Sequence, residues 1–159
     1  MAADNIQIIG NRAIDEYALK AAESERKRAH LLLHGGPDDP VQRLLIVLQP
    51  DSYVRPHHHS QQWEMLVLLR GRGALLHFDK DGRLRARGEL SVDAPIAHIP
   101  RAEWHGFWVL EPDTAVMEIK PGPYRANEFA DWAPPEGDRK VSSILNWLST
   151  AQPGEIWRP

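Results

Sequence analysis

Short apolar runs separated by turn residues dominate the chain from Val41 onward. Each run has the length of a strand, and Gly, Pro, Asp and Ser cluster between the runs, as they do in turns. The predicted strands are Val41–Leu48, Tyr53–His59, Trp63–Leu69, Ala74–Phe78, Arg83–Arg87, Ala97–Ile99, Trp104–Leu110 and Ala115–Lys120. Many short strands at this spacing are typical of an antiparallel barrel or sandwich, so we predict an all-β fold.

Helical patterns occur only towards the two ends of the chain. Apolar positions follow helical spacing from Ile14 to Ala22, after a short predicted strand at Ile6–Ile9 and a candidate capping residue, Asn11. Leu31–Leu33 either extends this helix or forms a strand. A second, short helix is predicted from about Arg139 to Leu148.

The length and composition favour a single domain over residues 1–159. The chain is 42% hydrophobic, which is enough for a substantial core, and no internal repeat or linker divides it. We predict three parts, which are a helical N-terminal segment (11–34), a barrel core (about 41–121) and a C-terminal extension (122–159).

The charge pattern bears on the class of partner. The formal net charge is −3 and the basic residues are scattered, which argues against a nucleic acid or a membrane surface as the main partner. A small molecule is therefore the expected partner. The chain shows neither a leader pattern after Met1 nor an apolar run of membrane-spanning length, so we predict a cytoplasmic protein.

Candidate metal ligands lie around the second and third predicted strands. In an extended segment His57 and His59 point the same way, and Glu64 opens the next apolar run. His105 lies at the start of a later run, and the chain has no cysteine. Imidazole and carboxylate ligands suit one divalent transition metal, and Zn(II), Fe(II), Mn(II) and Ni(II) all accept such a set.

Two residues beside this motif are candidate substrate-binding groups. Tyr53 and Arg55 share the predicted face of His57 and His59, so we expect them to face the same cavity. An inward guanidinium would suit a carboxylate, phosphate or sugar-phosphate oxygen, whereas at a strand end it would instead extend into water. The sequence leaves both alternatives for Arg55 open.

Several other residues have simpler interpretations. By alternation His58 faces away from the ligands, and Arg43 faces away from the apolar side of its strand. Tryptophans next to ligand positions are expected to pack the barrel wall or a dimer face. These tryptophans are Trp63, Trp104 and Trp108. Four histidines have no ligand spacing and are interpreted as ordinary surface or core residues, namely His30, His34, His77 and His98.

The ligand spacing resembles that of a known superfamily. The first metal-binding motif of the cupins is similar to the spacing His57-x-His59, four residues, Glu64, six residues, Gly71. Most of the second cupin motif is similar to Pro100-x-Ala102-x-x-His105. Over roughly residues 26–137 the chain also resembles the WbuC family of cupin-fold metalloproteins. The segments that carry this resemblance are 39–43, 52–57, 122–124 and 132–134.

The resemblance implies a cupin double-stranded β-helix (jelly-roll barrel), often a homodimer, with one metal inside. The WbuC family is associated with gene regions for O-antigen and surface-polysaccharide biosynthesis, but no settled reaction comes with it. On the resemblance alone, Glu118 and Lys120 are expected to line the barrel as substrate-binding residues. Two positions depart from the cupin pattern, since Ala102 stands where Gly is usual and Val109 where Asn is usual.

Three hypotheses for function remain open. The first is a metal-dependent cupin enzyme acting on a small polar molecule, such as a sugar or sugar nucleotide, by Lewis-acid isomerisation, epimerisation or hydrolysis. The second is a binding or sensing module in which the metal organises a pocket without turnover. The third is an Fe(II)-dependent dioxygenase.

Overall fold

The computed structural model describes residues 6–159, and strands predominate in it. Two helices lie near the ends, α1 (Asn11–Glu23) and α2 (Val141–Thr150). The strands between them are β1 (Arg28–Leu32), β2 (Val41–Leu48), β3 (His57–His58), β4 (Glu64–Arg70), β5 (Gly73–Phe78), β6 (Leu84–Leu90), β7 (Ile96–Ile99), β8 (Trp104–Val109), β9 (Thr114–Pro121) and β10 (Glu128–Phe129). The predicted all-β class is confirmed.

The strands form two five-stranded antiparallel sheets. Sheet A has the order β1-β2-β9-β4-β7 and sheet B has the order β10-β3-β8-β5-β6. Neighbours in each sheet are mostly distant in sequence, so the chain crosses repeatedly from one sheet to the other, as in a jelly roll.

Three apolar clusters hold these layers together. Between the sheets, residues such as Ile46 and Leu66 of sheet A pack with Phe107 of sheet B. On the outside of sheet A, α1 covers residues such as Leu45, and on the outside of sheet B, α2 covers residues such as Phe78. Because β2 is covered on both faces, its sequence is almost continuously apolar rather than alternating.

The N-terminal region differs from its predictions. Residues 6–10 form no strand, and Asn11 is the first helical residue rather than the cap, a position that Gly10 takes. Segment 11–34 is helical only as far as Glu23, because 28–32 pairs along its whole length with β2. This pairing decides the open alternative for Leu31 and Leu32 in favour of a strand.

Other boundaries also shift. The predicted strand Tyr53–His59 is a ladder only at His57–His58, and the two-residue β10 that pairs with it was not predicted. The C-terminal helix begins two residues later than expected, at Val141. Within residues 6–159, no helix combines the length and apolar character that crossing a membrane requires.

Candidate metal centre

The four predicted ligands converge at one end of the space between the sheets. His57 on β3 and His105 on β8 are register partners in sheet B, so their side chains share a face. Glu64 begins β4 in sheet A, and His59 follows directly after β3. One ligand atom from each residue lies within 4.8 Å of the others, and all four residues are buried.

Backbone carbonyls orient two of the imidazoles. The Nδ1 atoms of His57 and His105 lie 2.8 and 2.9 Å from the carbonyl oxygens of Arg55 and Glu103. Because a carbonyl oxygen can only accept, Nδ1 carries the proton in both rings and Nε2 keeps a free lone pair. Metal-binding histidines in proteins are oriented in this way.

Three further polar atoms that face one another in the cluster have no conventional partners. Nε2 of His59, Nε2 of His105 and Oε2 of Glu64 are buried without a hydrogen bond within residues 6–159. Oε2 of Glu64 is 2.7 Å from Nε2 of His59 and 3.6 Å from Nε2 of His105. Buried polar atoms left without hydrogen bonds are costly, and a bound cation would satisfy all of them at once. The residues present therefore fit a divalent transition metal.

The electrostatics of the cluster favour the metal-binding protonation states of two of its residues, His57 and Glu64. Burial, reinforced by the nearby His105, lowers the pKa of His57 to about 3. Burial opposes ionisation of Glu64, but contacts with His105 and His59 outweigh it and hold its pKa well below the usual range. Burial lowers the pKa of His105, but the contact between His105 and Glu64 outweighs burial, so the pKa of His105 is raised. At neutral pH the site thus presents a carboxylate and a neutral His57.

The turn before β8 holds the backbone at His59 in place. Ala102 has a φ of +64°, the left-handed region that favours glycine. Its amide donates a 2.9 Å hydrogen bond to the carbonyl of His59. The turn therefore has the conformation for which cupins usually carry Gly, although this chain has Ala.

A cavity of about 350 Å³ adjoins the metal cluster. His57, Glu64 and His105 line one part of it. Its apolar wall comes from both sheets and comprises Leu44, Ile46, Leu48, Val54, Leu66, Leu75, Phe107 and Val116. The other charged groups along it are Arg26, Arg28, Arg55, Glu118, Lys120 and Glu136.

Glu118 and Lys120, on β9, both line this cavity. Nζ of Lys120 lies 2.7 Å from Oε1 of Glu118, and both side chains are largely buried. Burial, and then the negative charge of Glu64, raise the pKa of Glu118. Burial lowers the pKa of Lys120, but the negative charge of Glu118 outweighs burial, so the pKa of Lys120 is raised. The cavity therefore contains a carboxyl group that protonates more readily than an exposed glutamate.

The structure separates the two other predicted substrate-binding residues. Arg55 lines the cavity, as expected. Tyr53 instead lies in the apolar cluster beneath α2, where its hydroxyl donates a 2.9 Å hydrogen bond to the carbonyl of Pro134. Residues 53–56 belong to no ladder, so the strand alternation that predicted a shared face does not hold there.

The lining residues that were not predicted as site residues include four with ionisable side chains, which are Arg26, Arg28, His30 and Glu136. Arg26 and Arg28 both bind the carboxylate of Glu136, with Nε of Arg26 at 2.7 Å from Oε2. His30, interpreted from the sequence as an ordinary histidine, also lines the cavity. Arg28 and His30 are two positions apart on β1 and share a face, so predicting that strand would have identified them.

Apart from His30, the residues given simpler interpretations lie outside the cavity. His58 stacks on Trp104 with ring centroids 4.0 Å apart, and its Nε2 is 2.9 Å from a carboxylate oxygen of Glu128. Trp104 and Trp108 pack against the cluster beneath α2. Arg43 pairs with Asp39 at 3.0 Å on the exposed side of β2.

Comparison with known families places the chain in one of them. A family model described as "Domain of unknown function (DUF6016)" matches residues 9–90, just over half of the chain. The chain belongs to the DUF6016 family. The match includes His57, His59 and Glu64 but ends before His105. No curated protein sequence matches the chain, and membership of the WbuC family stays a prediction.

Solved structures similar to this DUF6016 protein include cupin and double-stranded β-helix domains. An uncharacterised conserved protein with a double-stranded β-helix domain from Klebsiella pneumoniae aligns with a TM-score of 0.59 at 13% identity, covering 80% of this chain and 99% of that one. A cupin-2 domain protein from Rhodospirillum rubrum gives 0.52 at 16%, covering 77% and 80%. The DMSP lyase DddQ from Ruegeria pomeroyi gives 0.53 at 17%, covering 70% and 54%. These likenesses confirm the predicted cupin jelly-roll fold.

Proposed function

We propose that this protein is a metal-dependent enzyme that acts on a small polar molecule. The observation that carries the proposal is that His57, Glu64 and His105 line an open cavity as well as converging on one point. Structural metal sites are typically enclosed by a full set of protein ligands, whereas catalytic sites keep a position accessible to water or substrate. The open cavity therefore favours turnover over a purely structural metal.

The chemistry proposed is Lewis-acid catalysis with proton transfer. A divalent ion held by His57, His59, Glu64 and His105 supplies polarisation of a carbonyl or acidification of bound water. Isomerisation, epimerisation and hydrolysis also need a group that takes and returns a proton. Glu118 suits this role because burial and the negative charge of Glu64 raise its pKa, so its carboxyl group holds a proton more readily than an exposed glutamate does. Lys120 would hold its carboxyl group in place through their 2.7 Å contact.

The proposal also includes three finer features that the sequence predicts. They are a sugar or sugar nucleotide of surface-polysaccharide metabolism as substrate, a homodimeric state and a cytoplasmic location. The ion is Zn(II), Fe(II), Mn(II) or Ni(II), because all of them accept three imidazoles and a carboxylate. Iron in the purified protein would direct the activity screen to dioxygenase chemistry.

Metal content tests the ligand set directly. We expect about one equivalent of a single metal in protein purified without an affinity tag, and a loss of most of it in His105→Ala, measured by elemental analysis. His98→Ala is the matched control, since His98 is exposed and lies outside the cluster. Full metal occupancy in His105→Ala would contradict the four-ligand site.

Turnover distinguishes the enzyme from the binding module. Activity found in a panel of sugars and small acids should disappear on chelation, return with the metal and fall about 10²–10⁴-fold in Glu118→Gln. A loaded protein that binds members of the panel without converting any of them would instead support the non-catalytic hypothesis.

A further inference from the structure

Arg55 carries a positive charge in the cavity that no carboxylate compensates. Of the other cations that line the cavity, Arg26 and Arg28 share Glu136, and Lys120 pairs with Glu118. Within residues 6–159, Arg55 forms no ion pair, although its side chain is half-buried. A half-buried guanidinium without an acidic partner is unusual, because burying an unpaired charge is costly.

The guanidinium is held firmly in place by neutral groups. Its Nε donates to the carbonyl of Ala133 at 3.1 Å, and its Nη2 donates to the carbonyl of Ala130 at 3.0 Å. The ring of Phe129 lies 5.0 Å from its Cζ. These contacts fix the orientation of the group without neutralising it, and Nη1 forms no hydrogen bond in the described part of the chain. Arg55 is therefore preorganised to bind an anion.

The same residue is joined to the metal cluster through its backbone. The carbonyl of Arg55 accepts the proton of Nδ1 of His57, while the Arg55 side chain lines the cavity that His57 also lines. An anion bound by the guanidinium would thus lie in the same small cavity as a substrate group facing the metal ligands.

One wall of the cavity suits an apolar ligand body. The eight apolar side chains that form its wall offer no hydrogen bonds to a sugar's hydroxyl groups. A volume of about 350 Å³ is at the lower end of the range for small-molecule sites. Among the described residues Arg55 makes no ion pair, and its planar fork matches a carboxylate.

We propose that the substrate class is a small carboxylic acid with an apolar body, whose carboxylate binds Arg55 and whose body lies against the apolar wall. This inference rests on the proposed function, of which it specifies the substrate. It narrows the small polar molecule to one that carries a carboxylate and disfavours an uncharged sugar.

Calorimetric titration of the full chain with butanoate and its uncharged amide, butanamide, tests this inference. The titrations use zinc-loaded protein and chelator-treated protein, with the metal content of each sample measured. We expect butanoate to bind about tenfold to a hundredfold more tightly than butanamide. Arg55→Gln should lose a similar factor in both samples, while Arg85→Gln, an exposed arginine outside the cavity, should bind like wild type.

Each outcome separates this inference from the proposed function. Equal binding of butanoate by Arg55→Gln and wild type would overturn it, as would Arg55-dependent binding of inorganic phosphate that is tighter than that of butanoate. If Arg55→Gln does not fold, equal affinities of wild type for butanoate and butanamide overturn it. Arg55-dependent butanoate binding by a protein that takes up no metal would support the carboxylate site while refuting metal-dependent catalysis.

Discussion

Two of the four ligand residues are oriented by the same local device. In His57 and in His105, the proton on Nδ1 is donated to the carbonyl two residues earlier in the chain. Because this acceptor is backbone, no side-chain substitution removes it. Nδ1 of His59 has no such partner within residues 6–159. His57 and His105 are therefore preorganised for metal binding, whereas the orientation of His59 depends on Glu64 and on an ion.

Burial of His57 makes the metal-free protein sensitive to acid. Its pKa is about 3 when folded and 6.5 when unfolded, so the unfolded state takes up the proton first as the pH falls. The neutral imidazole of His57 therefore contributes fully to the free energy of unfolding above pH 6.5, and this contribution is lost as the pH falls towards 3, a difference of up to about 5 kcal/mol. In urea unfolding of metal-free protein, the free energy of unfolding of His57→Gln should fall less between pH 6.5 and pH 3 than that of wild type. Parallel curves for variant and wild type would contradict this.

Ala102 offers a test of backbone strain beside the site. Its left-handed conformation costs an alanine about 1–2 kcal/mol, which a glycine avoids. We expect Ala102→Gly to raise the free energy of unfolding by about 1 kcal/mol, measured by urea denaturation. Ala29→Gly, in β1, which pairs with β2 without a register shift, should lower it by about 0.5–1 kcal/mol. Equal destabilisation by both changes would show that Ala102 is not strained.

At the scale of single residues, the sequence predicted the buried His/Glu cluster better than it predicted the lining of the cavity. His57, His59, Glu64 and His105 follow from alternation and spacing, which hold wherever the backbone is extended. Arg26, Arg28 and Glu136 meet only in the folded chain, more than 100 residues apart in sequence. No local pattern can bring such residues together.

Among the elements, the long apolar strands were predictable, whereas two of the edge strands, β1 and β10, were not. β2 and β9 are eight residues each and predominantly apolar. β1 and β10 are short strands at the sheet edges, and only their pairing with β2 and β3 makes them strands. Local propensity is weak for such segments, because tertiary context determines them.

Close packing between the sheets can be tested at Gly73, the first residue of β5. A Cβ atom there would overlap the ring of Phe107, which is buried between the sheets. We expect Gly73→Ala to lower the free energy of unfolding by about 1–3 kcal/mol. Gly88→Ala is the matched control, since it lies in β6 and its Cβ would meet nothing within 4 Å. Equal stabilities of the two variants would refute this tight contact.

For the whole molecule, the ligand set joins the two sheets. Glu64 belongs to sheet A, whereas His57 and His105 belong to sheet B. An ion bound to all of them stabilises the folded state only, by about 2.7 kcal/mol at a free concentration one hundred times its dissociation constant. Chelation should therefore lower the Tm of wild type in calorimetry, and zinc should restore it. In His105→Ala, zinc should have little effect, and an equal rise would contradict the bridge.

The position of the ligands on opposite sheets also bears on which ion the protein prefers. Leu66 and Phe107 follow Glu64 and His105 by two residues on the same strands and are packed between the sheets. The volume of these apolar side chains sets how far apart the sheets lie beside the ligands. The distance between the sheets determines which ionic radius the candidate ligands fit. We therefore expect a change of core volume at Leu66 or Phe107 to shift the preference among divalent ions while leaving every candidate ligand intact.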